Sequence, residues 1–376
     1  MRFVLYTHSL RSDWNHGNAH FLRGVLRELE ALGHETLALE PQDGWSRENL
    51  LADQGPGALD RFAGDFPTLT AQSYGPDFDH EAALANADVV IVHEWTDPAL
   101  VRQVGDIRRR GGRFTLLFHD THHRGVSDAD AIAGMALDDY DAVLAFGETL
   151  RERYLRSGWG RRVFTWHEAA DTHLFRPDEA VSKQDDLIWI GNWGDGEREA
   201  ELDEFLIEPA RRLHLSGVVH GVRYPQAALQ RLGTSELRYG GWIANADAPR
   251  AFARHRMTMH VPRRPYVQAL PGIPTIRMFE ALACGIPLVS APWSDSEGLF
   301  RTGRDYLTAR NGDEMTAHLH ALKHDAALAA DVAASGLATI RARHTCAHRV
   351  DELLAILAAC GRSEAPSAPA TTEPVS

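Results

Sequence analysis

Phe3-Val4-Leu5-Tyr6, then a polar loop over residues 9–18, then Phe21, Leu22, Val25, Leu26, Leu29 and Leu32: this opening stretch decides the fold. Four apolar residues in a row suit a strand buried on both faces. The next six recur at three- and four-residue steps, the spacing of one helix face, and Gly33 follows as a C-cap. Residues 36–39 return to a short apolar run. Strand, loop, helix and strand in immediate succession form a βαβ unit.

The same alternation continues outward. Asp88-Val89-Val90-Ile91-Val92-His93 reads as a buried strand, 98–110 as a helix, 114–118 as a strand closing on His119-Asp120, 142–145 as a strand and 148–156 as a helix. Residues 42–80 are rich in Gly, Pro and Asp, with room for one helix. Residues 1–168 are therefore expected to form a doubly wound sheet, and 169–184, poor in periodic apolar residues, a linker. A second series opens at Leu187-Ile188-Trp189-Ile190-Gly191. It continues with helix 200–213, strand 216–220, helix 225–232, strand 257–261, helix 275–283, strand 287–290 and helices 313–323 and 326–342, giving a second domain over 185–345. A last helix, 346–360, carries Val350, Leu353, Leu354 and Leu357 on one face. Residues 361–376 are rich in Pro, Ala, Thr, Ser and Glu, a composition that favours disorder. The expected fold is α/β, two Rossmann-like domains facing a central cleft, where the strand carboxyl ends hold ligands.

Composition narrows the function. The chain has 376 residues, 44% of them hydrophobic, enough for two cores. Its 39 Lys and Arg against 52 Asp and Glu leave a formal charge of -13, which speaks against a nucleic-acid partner. Three cysteines, Cys284, Cys346 and Cys360, form no C-x-x-C pair and fit a reducing compartment. The apolar run at the N-terminus is too short for a signal peptide, and no stretch approaches the ~20 apolar residues of a membrane span. The reading is a cytoplasmic chain. Arginines at 108–110, with Arg151, Arg153, Arg156, Arg161 and Arg162, read as solvated helix faces ahead of a peripheral contact with anionic lipid.

The residues richest in chemistry lie in Val261-Pro262-Arg263-Arg264-Pro265-Tyr266 and in 270–287. Pro274 precedes a helix start, and Gly285-Ile286-Pro287 ends that helix. Backbone N–H groups near Thr275 and Ile276 suit a diphosphate. Arg277 can neutralise phosphate, and Glu280, on the same face, can accept hydrogen bonds from a ribose diol. An ion pair between the two on the helix surface is the alternative of equal weight. Pro262 and Pro265 hold Arg263 and Arg264 in a stiff extended turn, which places one of them for diphosphate binding. The Gly-rich loop Gly191-Asn192-Trp193-Gly194-Asp195-Gly196-Glu197-Arg198 lets backbone approach phosphate closely. Trp242, in Tyr239-Gly240-Gly241-Trp242, either stacks on a base or packs under a loop. In Phe118-His119-Asp120-Thr121-His122-His123-Arg124, a metal site is the sharp alternative to a polar strand end.

Glu280-Ala281-Leu282-Ala283-Cys284-Gly285-Ile286-Pro287 resembles the donor-binding signature of the group 1 (family 4) GT-B glycosyltransferases, especially their spore-maturation-like branch. The resemblance covers most of residues 1–358, including Gly17-Asn18, Ala170-Asp171-Thr172-His173-Leu174-Phe175-Arg176-Pro177 and His344-Thr345. It implies a retaining glycosyltransferase that uses a nucleotide diphosphate-sugar, UDP or GDP, as substrate, with no cofactor and no metal. The acceptor, a carbohydrate, lipid or small molecule, is left open. The resemblance also implies a donor-phosphate role for Gly191, Asn192 and Arg198, and an active-site histidine at His119, with Asp120 as runner-up. Sugar or acceptor contacts would come from Gly17, Asn18, His93 and Glu94, with His93-Glu94-Trp95 at the end of the neighbouring strand lining the acceptor side, and the last helix would cross back to the first domain. Where the family often has a second Glu, Gly272 stands. Two other readings compete: a nucleotide-sugar epimerase of the same architecture, and a two-lobed nucleotide- or sugar-binding protein without turnover. A nicotinamide dehydrogenase is disfavoured, because neither first-strand loop carries G-x-G-x-x-G.

Overall fold

The computed structural model describes residues 1–194 and 196–361. The tail from 362 onward, expected to be disordered, and Asp195 of the Gly-rich loop lie outside the described residues. Two parallel sheets organise the chain. The first contains β1 (Arg2–Tyr6), β2 (Glu35–Pro41), β3 (Ala71–Tyr74), β4 (Val89–His93), β5 (Thr115–Asp120), β6 (Ala142–Ala145) and β7 (Val163–Thr165), in the order β3-β2-β1-β4-β5-β6-β7. The second contains β8 (Asp185–Ile190), β9 (Gly217–His220), β10 (Leu237–Gly241), β11 (His255–His260), β12 (Leu288–Ser290) and β13 (Leu307–Thr308), in the order β10-β9-β8-β11-β12-β13. Each order reverses once, between β1 and β4 and between β8 and β11. Those switch points open a crevice at the strand carboxyl ends.

Burial explains the strands that were easy to read. Every residue of β4 is buried, as a parallel strand covered by helices on both faces requires. The four missed strands, β3, β7, β10 and β13, carry weaker signals: β3 is only partly buried, β7 and β13 span three and two residues, and β10 is an edge strand with most of its residues in solvent. Residues 42–80 hold more than one helix, with Trp45–Gln54 and Asp60–Asp65 preceding β3. The helix expected over 200–213 is interrupted: a π turn, Asp203–Ile207, separates Glu199–Leu202 from Glu208–Leu213. Pro209 has no N–H to donate backward, so the ladder widens just before it. Residues 263 and 264 do not form the extended turn that the flanking prolines suggested. Arg263 is extended, but Arg264 opens a short helix, Arg264–Gln268, with Pro265 in its first turn, where its missing N–H costs nothing.

Three apolar clusters hold the sheets and join them. One runs from the helix Ala19–Ala31 to the helix Ile276–Ala283 through Phe21, Leu22, Ile276, Met278 and Phe279. A second, on the other face of the first sheet, takes in Tyr266, Leu270 and Ile273 from the second half. The third fills the remaining face of the second sheet. The last helix, Cys346–Gly361, does cross back and packs on Ala19–Ala31. Gly24 makes room for it: a Cβ there would lie 2.5 Å from Cys346 Sγ. The segment between the sheets is tied down at its start, with Ala170 N–H donating to the His344 carbonyl at 3.0 Å and Cys346 N–H to the Ala170 carbonyl at 3.0 Å. Among the described residues no helix is long and apolar enough to cross a membrane.

Candidate active site

A cavity of about 590 Å³ lies between the two sets of strand ends. The loop after β1 supplies His8, Asp13, Asn15, His16, Gly17 and Asn18. The ends of β4 and β5 add His93, Trp95, Thr121, His122 and His123. From the second half come Gly191, Asn192, Glu197 and Arg198 after β8, Arg263 after β11, and Thr275, Ile276 and Arg277 at the start of a helix.

That helix, Ile276–Ala283, begins at the cavity wall. Thr275 is its extended N-cap, and its side chain makes no capping bond. The N–H groups of Ile276 and Arg277 therefore have no partner within the helix, and they carry the positive end of its dipole to the cavity. Gly17 lets the first half come close: a Cβ there would stand 3.0 Å from Ile276 Cγ2 and 3.7 Å from Arg277 Nη2.

Arginine geometry distinguishes the cations. Arg198 is buried and held from two sides, donating to the Val261 carbonyl at 2.8 Å and the Asn192 carbonyl at 2.7 Å, with its guanidinium over the Trp189 ring at 5.0 Å. Burial and neighbouring Arg263 lower its pKa to about 10, so it stays a cation at neutral pH. Arg263 donates to the Gly194 carbonyl at 3.0 Å and to Glu197 Oε2 at 2.6 Å. Arg264 does not reach the cavity wall. It turns to Glu201 at 2.7 Å and to the Gly196 carbonyl at 2.8 Å, so the diphosphate role expected for it is withdrawn. Asn192 bridges the halves, donating to Asn15 Oδ1 and accepting from Val222 N–H at 3.0 Å. Trp242 lines the cavity with a buried indole N–H that has no protein partner.

Five further residues expected at the site lie off the cavity wall: Glu280, His119, Asp120, Glu94 and Gly272. Glu280 does not face the cavity: it is wholly buried, paired with Arg277, and its Oε1 lies 2.9 Å from His20 Nδ1. Burial raises its carboxyl, but Arg277 and His20 overcome that and hold it below the ordinary range. It can orient Arg277, but it stands behind the wall that a ribose would touch. His119 is also wholly buried and off the wall, packed against Trp166 with ring centroids 4.8 Å apart and His93 at 5.4 Å. Asp120 lies deeper still, accepting from Tyr154 Oη at 2.6 Å and His122 N–H at 3.0 Å, with its pKa raised to about 6 by burial. Glu94 is likewise off the wall and accepts from Thr121 N–H at 3.2 Å; burial and Asp120 push its pKa up. Gly17, Asn18 and His93 do line the cavity, whereas Gly272 does not. Gly272 has φ +90°, and a Cβ would meet Ser296 Oγ at 2.6 Å, so a side chain there is excluded by backbone and by space.

Three carboxylates do line the cavity, Asp13, Glu168 and Glu197, and Glu168, just after β7, lies in no pattern that the sequence analysis picked out. Burial and the nearby Glu280 raise its pKa, while Asn18 and Arg277 pull it down. Trp95 lines the cavity beside His93, whereas sequence reading missed His8, His16 and Arg223, on loops without periodicity, and Trp45, at the start of the helix Trp45–Gln54.

Residues 198–355 match the family model described as "Glycosyl transferase-like". No curated protein sequence matches the chain. Among solved structures, Anabaena HepE in complex with UDP and glucose is similar at TM-score 0.67 and 12% identity, covering 95% of this chain and 99% of its own. Sucrose-phosphate synthase from Thermosynechococcus elongatus matches at TM-score 0.63 and 13% identity, over 96% and 99%. An alpha-glucosyltransferase in complex with UDP-glucose and DNA containing an abasic site matches at TM-score 0.72 and 12% identity, over 95% and 99%. The chain therefore has the two-domain GT-B fold of these solved structures, and a glycosyl transferase-like segment makes up most of its second half.

Proposed function

We propose that this enzyme moves a sugar from a UDP-sugar to a hydroxyl of a separate acceptor, with retention of anomeric configuration and without a metal. One observation carries the reading: the start of the helix Ile276–Ala283 reaches the cavity beside Arg277, with Arg198, Arg223 and Arg263 on the same half. That arrangement suits two phosphates, since N–H groups and guanidinium forks meet the charge that grows on the departing diphosphate. Cations of the chain itself take the role a metal would otherwise fill. UDP is favoured over GDP because similar folds hold UDP with glucose in Anabaena HepE and UDP-glucose in the alpha-glucosyltransferase.

In the transfer, the bond from the sugar C1 to the diphosphate oxygen breaks and its electron pair stays on that oxygen. The acceptor oxygen bonds to C1, and its proton passes to the departing diphosphate. Trp242 borders the base. Glu280 acts through Arg277, holding the guanidinium in place from behind the wall. A thermal-shift screen against UDP, GDP, ADP, TDP and CDP tests the donor. UDP should raise Tm most. A shift from GDP alone overturns the nucleotide choice, and no shift from any of the five overturns the donor site. Proton NMR of the product then reads the anomeric configuration.

A further inference from the structure

The two halves of the cavity wall differ in charge. Arg198, Arg223, Arg263 and Arg277 all come from the second half, and among the described residues the first half contributes no Lys or Arg to the wall. Its two acids are compensated: Asp13 is bound by Arg23 at 2.9 Å, and burial favours the neutral form of Glu168. Arg124 is close by, yet it belongs to a tryptophan: its guanidinium lies 4.8 Å over the Trp95 ring, off the wall.

What the first half presents instead is aromatic and neutral. Trp45 and Trp95 line the cavity, and each is 39% exposed, unusual for so large a ring. Each is braced from behind. Trp45 stacks on His8 with an interplanar angle of 7° and centroids 5.5 Å apart, and Trp95 is held by Arg124 and by the edge of His122 at 5.1 Å. A braced indole loses little freedom on binding and offers a flat apolar face. His8 and His16, with centroids 3.9 Å apart, have ring nitrogens without protein partners, and burial keeps both rings neutral. They can donate to or accept from hydroxyls without bringing charge.

We infer, on top of the donor reading above, that the acceptor is a neutral saccharide, seated with the C–H face of a sugar ring on Trp45 and Trp95 and its hydroxyls on His8 and His16. A phosphorylated lipid or a nucleic acid would need cations on this side to replace its counterions, and the wall supplies none.

The test is a glycan array carrying neutral, sulfated and phosphorylated oligosaccharides, probed with full-length protein in the presence and absence of UDP. UDP affinity is measured separately by calorimetry. Neutral glycans should bind, and Trp45→Ala and Trp95→Ala should each weaken that binding by about tenfold or more, with Trp→Phe at either position recovering most of it and UDP affinity unchanged throughout. Binding confined to sulfated or phosphorylated glycans overturns the inference. So does UDP binding with no glycan bound, or neutral binding that both alanine variants retain. Loss of UDP binding by the wild-type protein overturns the donor reading instead, and the array without UDP still decides the acceptor class.

Discussion

His20 Nδ1 lies 2.9 Å from Glu280 Oε1, joining the first helix of one half to the helix that starts at the cavity in the other, with both side chains wholly buried. Arg277 pairs with the same carboxylate from the cavity side. A charge so enclosed is tolerable because two partners meet it, and removing it strands them. Glu280→Gln should therefore cost about 3 kcal/mol of stability by chemical denaturation. UDP affinity should fall less than the stability loss suggests, because Arg277 keeps its place on the wall. A variant of wild-type stability that binds UDP poorly would put Glu280 back in direct contact with the ribose.

Arg198 serves two carbonyls with one planar fork, at 2.8 and 2.7 Å, while lying over Trp189. Lysine keeps the charge but cannot reproduce the fork or the stacking. Arg198→Lys should weaken UDP binding about tenfold, the loss of roughly one charge-assisted hydrogen bond, and should lower Tm as well. Calorimetry against UDP at two salt concentrations checks it. The wild-type affinity should fall as salt rises, and an unchanged affinity in the lysine variant would remove Arg198 from the diphosphate site.

Where the signal is local, the sequence was readable. Apolar runs such as 89–92 declare parallel strands, and the start of the helix Ile276–Ala283 is written in the residues beside it. Side-chain direction was not readable where it depends on distant packing. Glu280 follows Arg277 by one turn and shares its face, yet whether that face meets the cavity or His20 is settled by how close Gly17 allows the halves to come. His93 and His119 sit opposite each other in the β4–β5 register, but Trp166 and Phe21 close over His119 and leave only His93 on the wall. The aromatic side of the cavity was only half legible: Trp95 follows a readable strand end, but Trp45, at the start of the helix Trp45–Gln54, is distant in sequence and joins it only in the fold.

Gly147 touches the other half more tightly still. A Cβ there would stand 2.3 Å from Ile273 Cγ1 and 2.6 Å from Ile273 Cδ1. The same contact is pinned by Glu148 N–H on Glu297 Oε1 at 2.8 Å and by Thr149 Oγ1 on the Pro271 carbonyl at 2.7 Å. Gly147→Ala should destabilise by about 1–3 kcal/mol through overpacking. Ile273→Ala removes the clashing atoms, so the double variant should lose less than the sum of the two single losses. Strict additivity in a double-mutant cycle would show that the halves do not meet there.

His119 has two buried ring nitrogens without partners, and burial lowers its pKa from 6.5 to about 3. His8, His260 and His344 are also lowered to about 3, with burial the largest cause. As pH falls below 6.5 the unfolded chain gains protons on these histidines while the folded chain does not, so stability drops through that window until about pH 3, where the folded rings protonate too. Each such histidine contributes up to ~1.4 kcal/mol of loss per pH unit. In His119→Phe that contribution disappears, and a ring without unpaired nitrogens packs against Trp166. The variant should therefore be at least as stable as wild type at pH 7 and lose stability less steeply between pH 6 and 4, as read from Tm against pH. If His119 instead met substrate or solvent, its folded pKa would sit near the ordinary value, and the two curves would run parallel.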